Sequence, residues 1–110
     1  MAAPKPLTIQ LDPAATEYTR VLGGPPATHS MRSGQVVLAP GQSVGKHSTG
    51  EYEEVLVVFE GTGRMVIAGG PELALAPHTV AYCPPRTEHD VNNTGLQPLR
   101  YLYLVAAAKP

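Results

Sequence analysis

Gly41-Gln-Ser-Val-Gly-Lys-His47-Ser-Thr-Gly-Glu-Tyr-Glu-Glu54-Val-Leu-Val-Val-Phe-Glu-Gly61 is the stretch on which the fold turns. Its second half is β-branched and aromatic and stops at a glycine, as a strand does. Its first half sets a histidine and a carboxylate seven positions apart, among turn residues. A second stretch, Pro84-Pro-Arg-Thr-Glu-His89-Asp-Val-Asn-Asn93, adds another histidine at the head of another short strand.

Outward from these segments the pattern repeats. Apolar runs at residues 35–39, 54–60, 65–67, 73–75, 79–83, 89–93 and 99–107 are each bounded by Gly, Pro or Asn. The 12 prolines and 11 glycines fall between the runs and form no low-complexity tract. Many short strands joined by such turns predict an all-β sandwich or barrel. The one candidate helix is residues 13–20. Residues 1–28 form an N-terminal arm in which Leu7, Ile9 and Leu11 alternate with polar residues, predicting a short arm strand. Residues 29–110 are assigned to the barrel.

The bulk properties remove several functions. A chain of 110 residues with formal net charge −1 is one domain with no electrostatic footprint for nucleic acid. No run approaches the roughly 20 apolar residues that span a bilayer, and no signal segment is visible, so a cytoplasmic protein with no membrane partner is expected. With a single domain expected, a sensor role within the same polypeptide is not expected. The single cysteine, Cys83, leaves no internal disulfide and no multi-cysteine zinc site, and reads as a small buried hydrophobe.

Strand alternation selects the side chains that can converge. Glu54, Leu56 and Val58 share one face; His89, Val91 and Asn93 share another; His47 and Thr49 share a third. Two imidazoles and a carboxylate form a ligand set for a divalent transition metal with coordination positions left open. Iron, zinc, nickel and manganese all accept it. Glu51 and Glu53 compete with Glu54 as the carboxylate. Tyr52, Tyr82, Tyr101 and Tyr103 line a cavity or back the sheet, and His29 and His78 lie near turns, exposed. Asn93 ties down a turn through side-chain to backbone hydrogen bonds.

On these residues the chain resembles the cupin superfamily, in its small single-domain, cupin 2 type. Gly41, His47, Glu54 and Gly61 fit the first motif of that family, and Pro84, His89 and Asn93 the second. Three positions depart: Thr49 replaces a histidine, and His78 and Arg86 replace glycines. The resemblance implies a single-domain β-barrel, a double-stranded β-helix or jelly roll. It also favours Glu54 as the carboxylate, through its spacing to Gly61. The metal site is then His47, Glu54 and His89, three protein ligands rather than the family's usual four, with Thr49, Glu51, Tyr52 and Asn93 as candidates for the surrounding layer.

Thr49 either leaves a gap in the coordination sphere or holds a metal-bound water. Glu51, Tyr52 or a bound water is the candidate acid or base. Three functions are compatible: a metal-dependent enzyme acting on a small polar metabolite (sugar, keto acid or diol), a non-catalytic barrel that binds a sugar or acid, and a barrel whose site has decayed. A homodimer is expected, because both faces of the strand over residues 54–60 are apolar and the outer one needs cover, with the arm strand pairing on the partner's sheet.

Overall fold

The computed structural model describes residues 3–108. Nine strands follow in order: β1 (Thr19–Gly23), β2 (Arg32–Leu38), β3 (His47–Ser48), β4 (Tyr52–Glu60), β5 (Gly63–Ile67), β6 (Glu72–Leu75), β7 (Val80–Cys83), β8 (Glu88–Asn93) and β9 (Leu99–Ala107). Every pairing is antiparallel. They form a five-stranded sheet, β1-β2-β9-β4-β7, and a four-stranded sheet, β3-β8-β5-β6. The molecule is the expected all-β jelly roll.

The register sorts the larger sheet into rows. Arg32, Val105, Glu54 and Cys83 lie side by side across β2, β9, β4 and β7; Gly34, Tyr103, Leu56 and Ala81 form the next row; Val36, Tyr101 and Val58 the third. These rows face the interior. Leu56, Val58, Cys83 and Tyr101 are buried there and pack with Met65, Leu75, Val91 and Leu99. The intervening rows, such as Ser33, Leu104, Val55 and Tyr82, face outward.

The N-terminal arm departs from expectation. Leu7, Ile9 and Leu11 belong to no strand, and Leu7 and Ile9 remain 56% and 44% exposed. Alternation alone does not make a strand; it needs an edge to pair with. The nearest edge, that of β2, is taken by Thr19–Gly23. The sheet therefore begins before residue 29, and the arm strand that was to pair with a partner's sheet does not exist. The predicted helix over 13–20 is also absent: a turn at Pro13 leads into β1.

The arm instead lies on its own sheet. Gln35, 1% exposed on the outer face, donates Nε2–H to the Asp12 carbonyl at 3.0 Å. Arg100, held by Glu60 at 2.8 Å, donates from Nη1 to the Ala15 carbonyl at 2.6 Å. The chain then rounds the sheet edge. The Tyr18 hydroxyl meets that of Tyr103 at 2.7 Å, with the Tyr18 ring over Gly34, where a Cβ would stand 2.6 Å from Cε1.

The two positions where glycine was expected in the second motif keep a left-handed backbone without it. His78 has φ 64° and Arg86 φ 51°. The amide of His78 bonds Val58 O at 2.9 Å and that of Arg86 bonds Gly50 O at 2.8 Å, so the turns are held by their hydrogen bonds. Gly61, in the first motif, could not be replaced so: at φ 85° its Cβ would sit 2.7 Å from Leu99 Cα. A non-glycine residue in the left-handed region costs roughly 1–2 kcal/mol, partly offset by the entropy that glycine loses on folding. His78→Gly should therefore raise stability by about 0.5–1 kcal/mol in denaturant melts, whereas Gly61→Ala should lower it. A His78→Gly variant less stable than the parent would show that the imidazole holds the turn.

Candidate metal centre

The site is built from both sheets. In the smaller sheet His47 of β3 and His89 of β8 are a direct cross-strand pair, and their rings stand 4.3 Å apart at 55°. In the larger sheet Glu54 points inward from the row it shares with Arg32 and Val105. The donor atoms of His47, Glu54 and His89 all lie within 4.8 Å of one another. His89 is 1% exposed and Glu54 9%, while His47 is exposed at the mouth.

Each histidine is oriented by a backbone carbonyl. His47 Nδ1 lies 2.7 Å from Gly45 O, and His89 Nδ1 lies 3.0 Å from Thr87 O. A carbonyl only accepts, so both Nδ1 atoms carry a proton, and a ring whose Nε2 is deprotonated presents that lone pair to an ion. His89 Nε2 faces Glu54 Oε1 at 2.9 Å. Two imidazole nitrogens and a carboxylate oxygen converging in this way fit a divalent metal.

Alternation decides among the competing carboxylates. Glu53 turns outward and accepts from the Tyr82 hydroxyl at 2.8 Å; Glu51 sits in the loop beside Arg86 at 3.6 Å. Thr49 lines the cavity but its hydroxyl is committed: it donates to Pro84 O at 2.7 Å and accepts from the Thr87 amide at 3.1 Å, clamping the β3–β4 loop to the β7–β8 loop. Tyr52 lines the cavity too. Asn93 lies deeper, donating to Leu38 O and Gln97 O and accepting from the Gly95 amide, which fastens a turn.

Three neighbours escaped the sequence reading as site residues. Cys83 is fully buried with Sγ 3.5 Å from His89 Nδ1, and burial, then Glu54, pushes its thiol pKa up. Tyr18 and Arg32 line the cavity. Arg32 shares the inward phase of Val36 and Leu38, a signal hidden by Gly34 between them, and Tyr18 fell within the supposed helix. The cavity measures about 700 Å³ and its wall is mainly hydrocarbon and phenol ring, from Val36, Leu38, Val91, Tyr101, Tyr103 and Val105.

Glu54 governs how His89 titrates. The hydrogen bond that Nε2–H donates to the carboxylate raises the imidazole pKa above its ordinary 6.5; burial opposes this, and the Thr87 carbonyl and the charges of Glu54 and Asp90 add to the rise. A raised folded-state pKa means that the folded chain holds the proton more tightly than the unfolded one. The stabilisation is full below pH 6.5 and is lost as pH climbs through the raised value. Metal-free protein should therefore lose stability in thermal melts as pH rises from 6 toward 9, and His89→Gln should flatten that dependence. A wild-type profile that rises over this range would contradict the pairing.

The family model for the cupin domain matches residues 34–105. Among solved structures, a Bacillus halodurans protein superposes with TM-score 0.81 at 18% identity, covering 97% of this chain and 85% of that one. A cupin 2 conserved barrel domain protein from Salinispora arenicola gives TM-score 0.74 at 24% identity, covering 94% and 92%. A predicted oxalate decarboxylase from Thermotoga maritima gives 0.67 at 16%, covering 90% and 99%. The chain spans 63% of the length of the Schizosaccharomyces pombe Cnp3 cupin domain, which it also matches. At these identities the likeness is one of fold. No curated protein matches the sequence.

Proposed function

The chain belongs to the cupin domain family, and on that premise we propose that it is a metal-dependent enzyme acting on a small organic metabolite. The convergence of His47, Glu54 and His89 at the mouth of an open cavity carries this reading. A divalent transition metal held there (iron, zinc, nickel or manganese) would polarise a bound oxygen or activate water. The protein's own part is to orient: Gly45 and Thr87 fix the two rings, and the hydrocarbon wall excludes water behind the ligand. The predicted decarboxylase among the structural neighbours is consistent with a carboxylate substrate.

A second reading, a non-catalytic barrel that binds a small acid or sugar, is favoured by one observation. Apart from the candidate ligands, the titratable side chains on the cavity wall are tyrosines and Arg32, and Glu51 lies outside it beside Arg86. An acid or base at neutral pH would have to be a metal-bound water. Turnover against sugars, keto acids and diols separates the two readings.

Purified protein should hold about one transition metal per chain after incubation with excess ion and desalting, and His89→Ala should abolish retention. Affinity should fall with decreasing pH, beginning above the ordinary imidazole range because the proton competes for a His89 whose pKa is raised. Protein that stays metal-free with iron, zinc, nickel and manganese alike would sink the proposal.

We also propose a homodimer, formed on the outer face of the larger sheet where the arm does not reach. Val80 and Tyr82 on edge strand β7 are 65% and 51% exposed, beside half-buried Val55 and Val57. Sedimentation at micromolar concentration should report two chains, and Val80→Asp should shift the equilibrium to one. A wild-type monomer would overturn this.

A further inference from the structure

Four tyrosines line the cavity, and their hydroxyls are differently placed. Those of Tyr18 and Tyr103 satisfy each other at 2.7 Å. Tyr52 is half-buried at the start of β4. Tyr101 is 3% exposed, and among the described residues its hydroxyl has no hydrogen-bond partner, whereas the buried Gln35, Glu54, His89, Asn93 and Arg100 each have one. No fully enclosed side-chain polar atom of the described residues is left unpaired. The Tyr101 hydroxyl is therefore not sealed in the core; it opens on the cavity that the residue lines.

A phenol in that position has a cost that phenylalanine would avoid. Burial strips water from the hydroxyl, and nothing in the wall replaces it. Tyr101 stands in the row of Val36 and Val58, and packs with Leu38, Val91 and Leu99. The charged row of Arg32 and Glu54 is two rows away, beyond Gly34, Tyr103 and Leu56. Burial, then the charges of Glu54, Asp90 and Tyr103, raise the phenol pKa, so the group stays protonated and donates.

We propose that the Tyr101 hydroxyl determines specificity by donating a hydrogen bond to an uncharged acceptor oxygen, a carbonyl or ether, at the inner end of the ligand. This rests on the cavity as the ligand site, which both readings of the function share, and it holds whatever group the ligand presents at the mouth. A hydrocarbon inner end would leave the hydroxyl unpaired. A carboxylate there would lose its water with no cation beside it.

The test uses the full chain as purified and three small probes. In α-methylstyrene a methylene replaces the carbonyl oxygen of acetophenone, and in benzoate a carboxylate replaces its acetyl group. Binding is followed by NMR on protein labelled with carbon-13 at tyrosine Cζ, the Tyr101 signal being the one lost in Tyr101→Phe. Acetophenone should shift that signal and bind the parent about three- to tenfold tighter than Tyr101→Phe, the scale of one neutral hydrogen bond. α-Methylstyrene should bind the parent no tighter than the variant. Without ligand, Tyr101→Phe should melt at or above the parent temperature, which a structural hydroxyl would not allow. Equal acetophenone affinity, a lower melting temperature, or no binding of any probe overturns the proposal. So does benzoate depending on Tyr101 more than acetophenone does, since the inner end would then be anionic. Zinc retention by the same protein is measured apart from the probes, so its failure removes the metal reading and leaves the Tyr101 result standing.

Discussion

The pairing of His47 with His89 across β3 and β8 is the constraint on which the site depends. A pleated strand has two faces, and a slip of one residue would turn the whole set over. In the observed register both imidazoles face the interior, opposite a strand whose inward members are Tyr52, Glu54, Leu56 and Val58. The same alternation that buries the core thus delivers the three polar donors to one end of it. Neither sheet alone could do so, because the smaller one supplies two nitrogens and the larger one an oxygen. An ion bound there would bridge the two layers.

Much of this was legible in the sequence, for a physical reason. The strands with apolar inner faces and Gly or Pro ends were placed within a few residues, and β9 at its observed bounds. Glu54 was separable from Glu51 and Glu53 because it is in phase with Leu56 and Val58 and correctly spaced from Gly61. The arm was not legible. Leu7, Ile9 and Leu11 alternate as well as any strand in the chain, but pairing is decided by which edge is free, a tertiary fact that no local pattern carries. β1 reads Thr-Arg-Val-Leu-Gly and has no clean alternation, because its register shifts between Arg20 and Leu22.

The departures from the family motifs divide in two. His78 and Arg86 change the residue and keep the backbone, since the turn amides still find their carbonyls at Val58 and Gly50. Thr49 changes the chemistry. A side chain in a position that could face an ion spends its hydroxyl on the neighbouring loop, bonding Pro84 O and the Thr87 amide. Thr87 in turn offers its carbonyl to His89. The position that departs from the family motif therefore supports the segment that orients His89.

The arm joins the two surfaces of a single sheet. Its carbonyls at Asp12 and Ala15 are gripped from outside by Gln35 and Arg100, and a few residues later Tyr18 lies on Gly34 inside, touching Tyr103 on the cavity wall. Force applied at the outer grip is carried around the sheet edge to the chamber. Peeling residues 12–15 from the exterior would slacken the one aromatic ring of the lining that is not anchored in a strand. The volume offered to a guest is thereby tied to contacts the guest never meets.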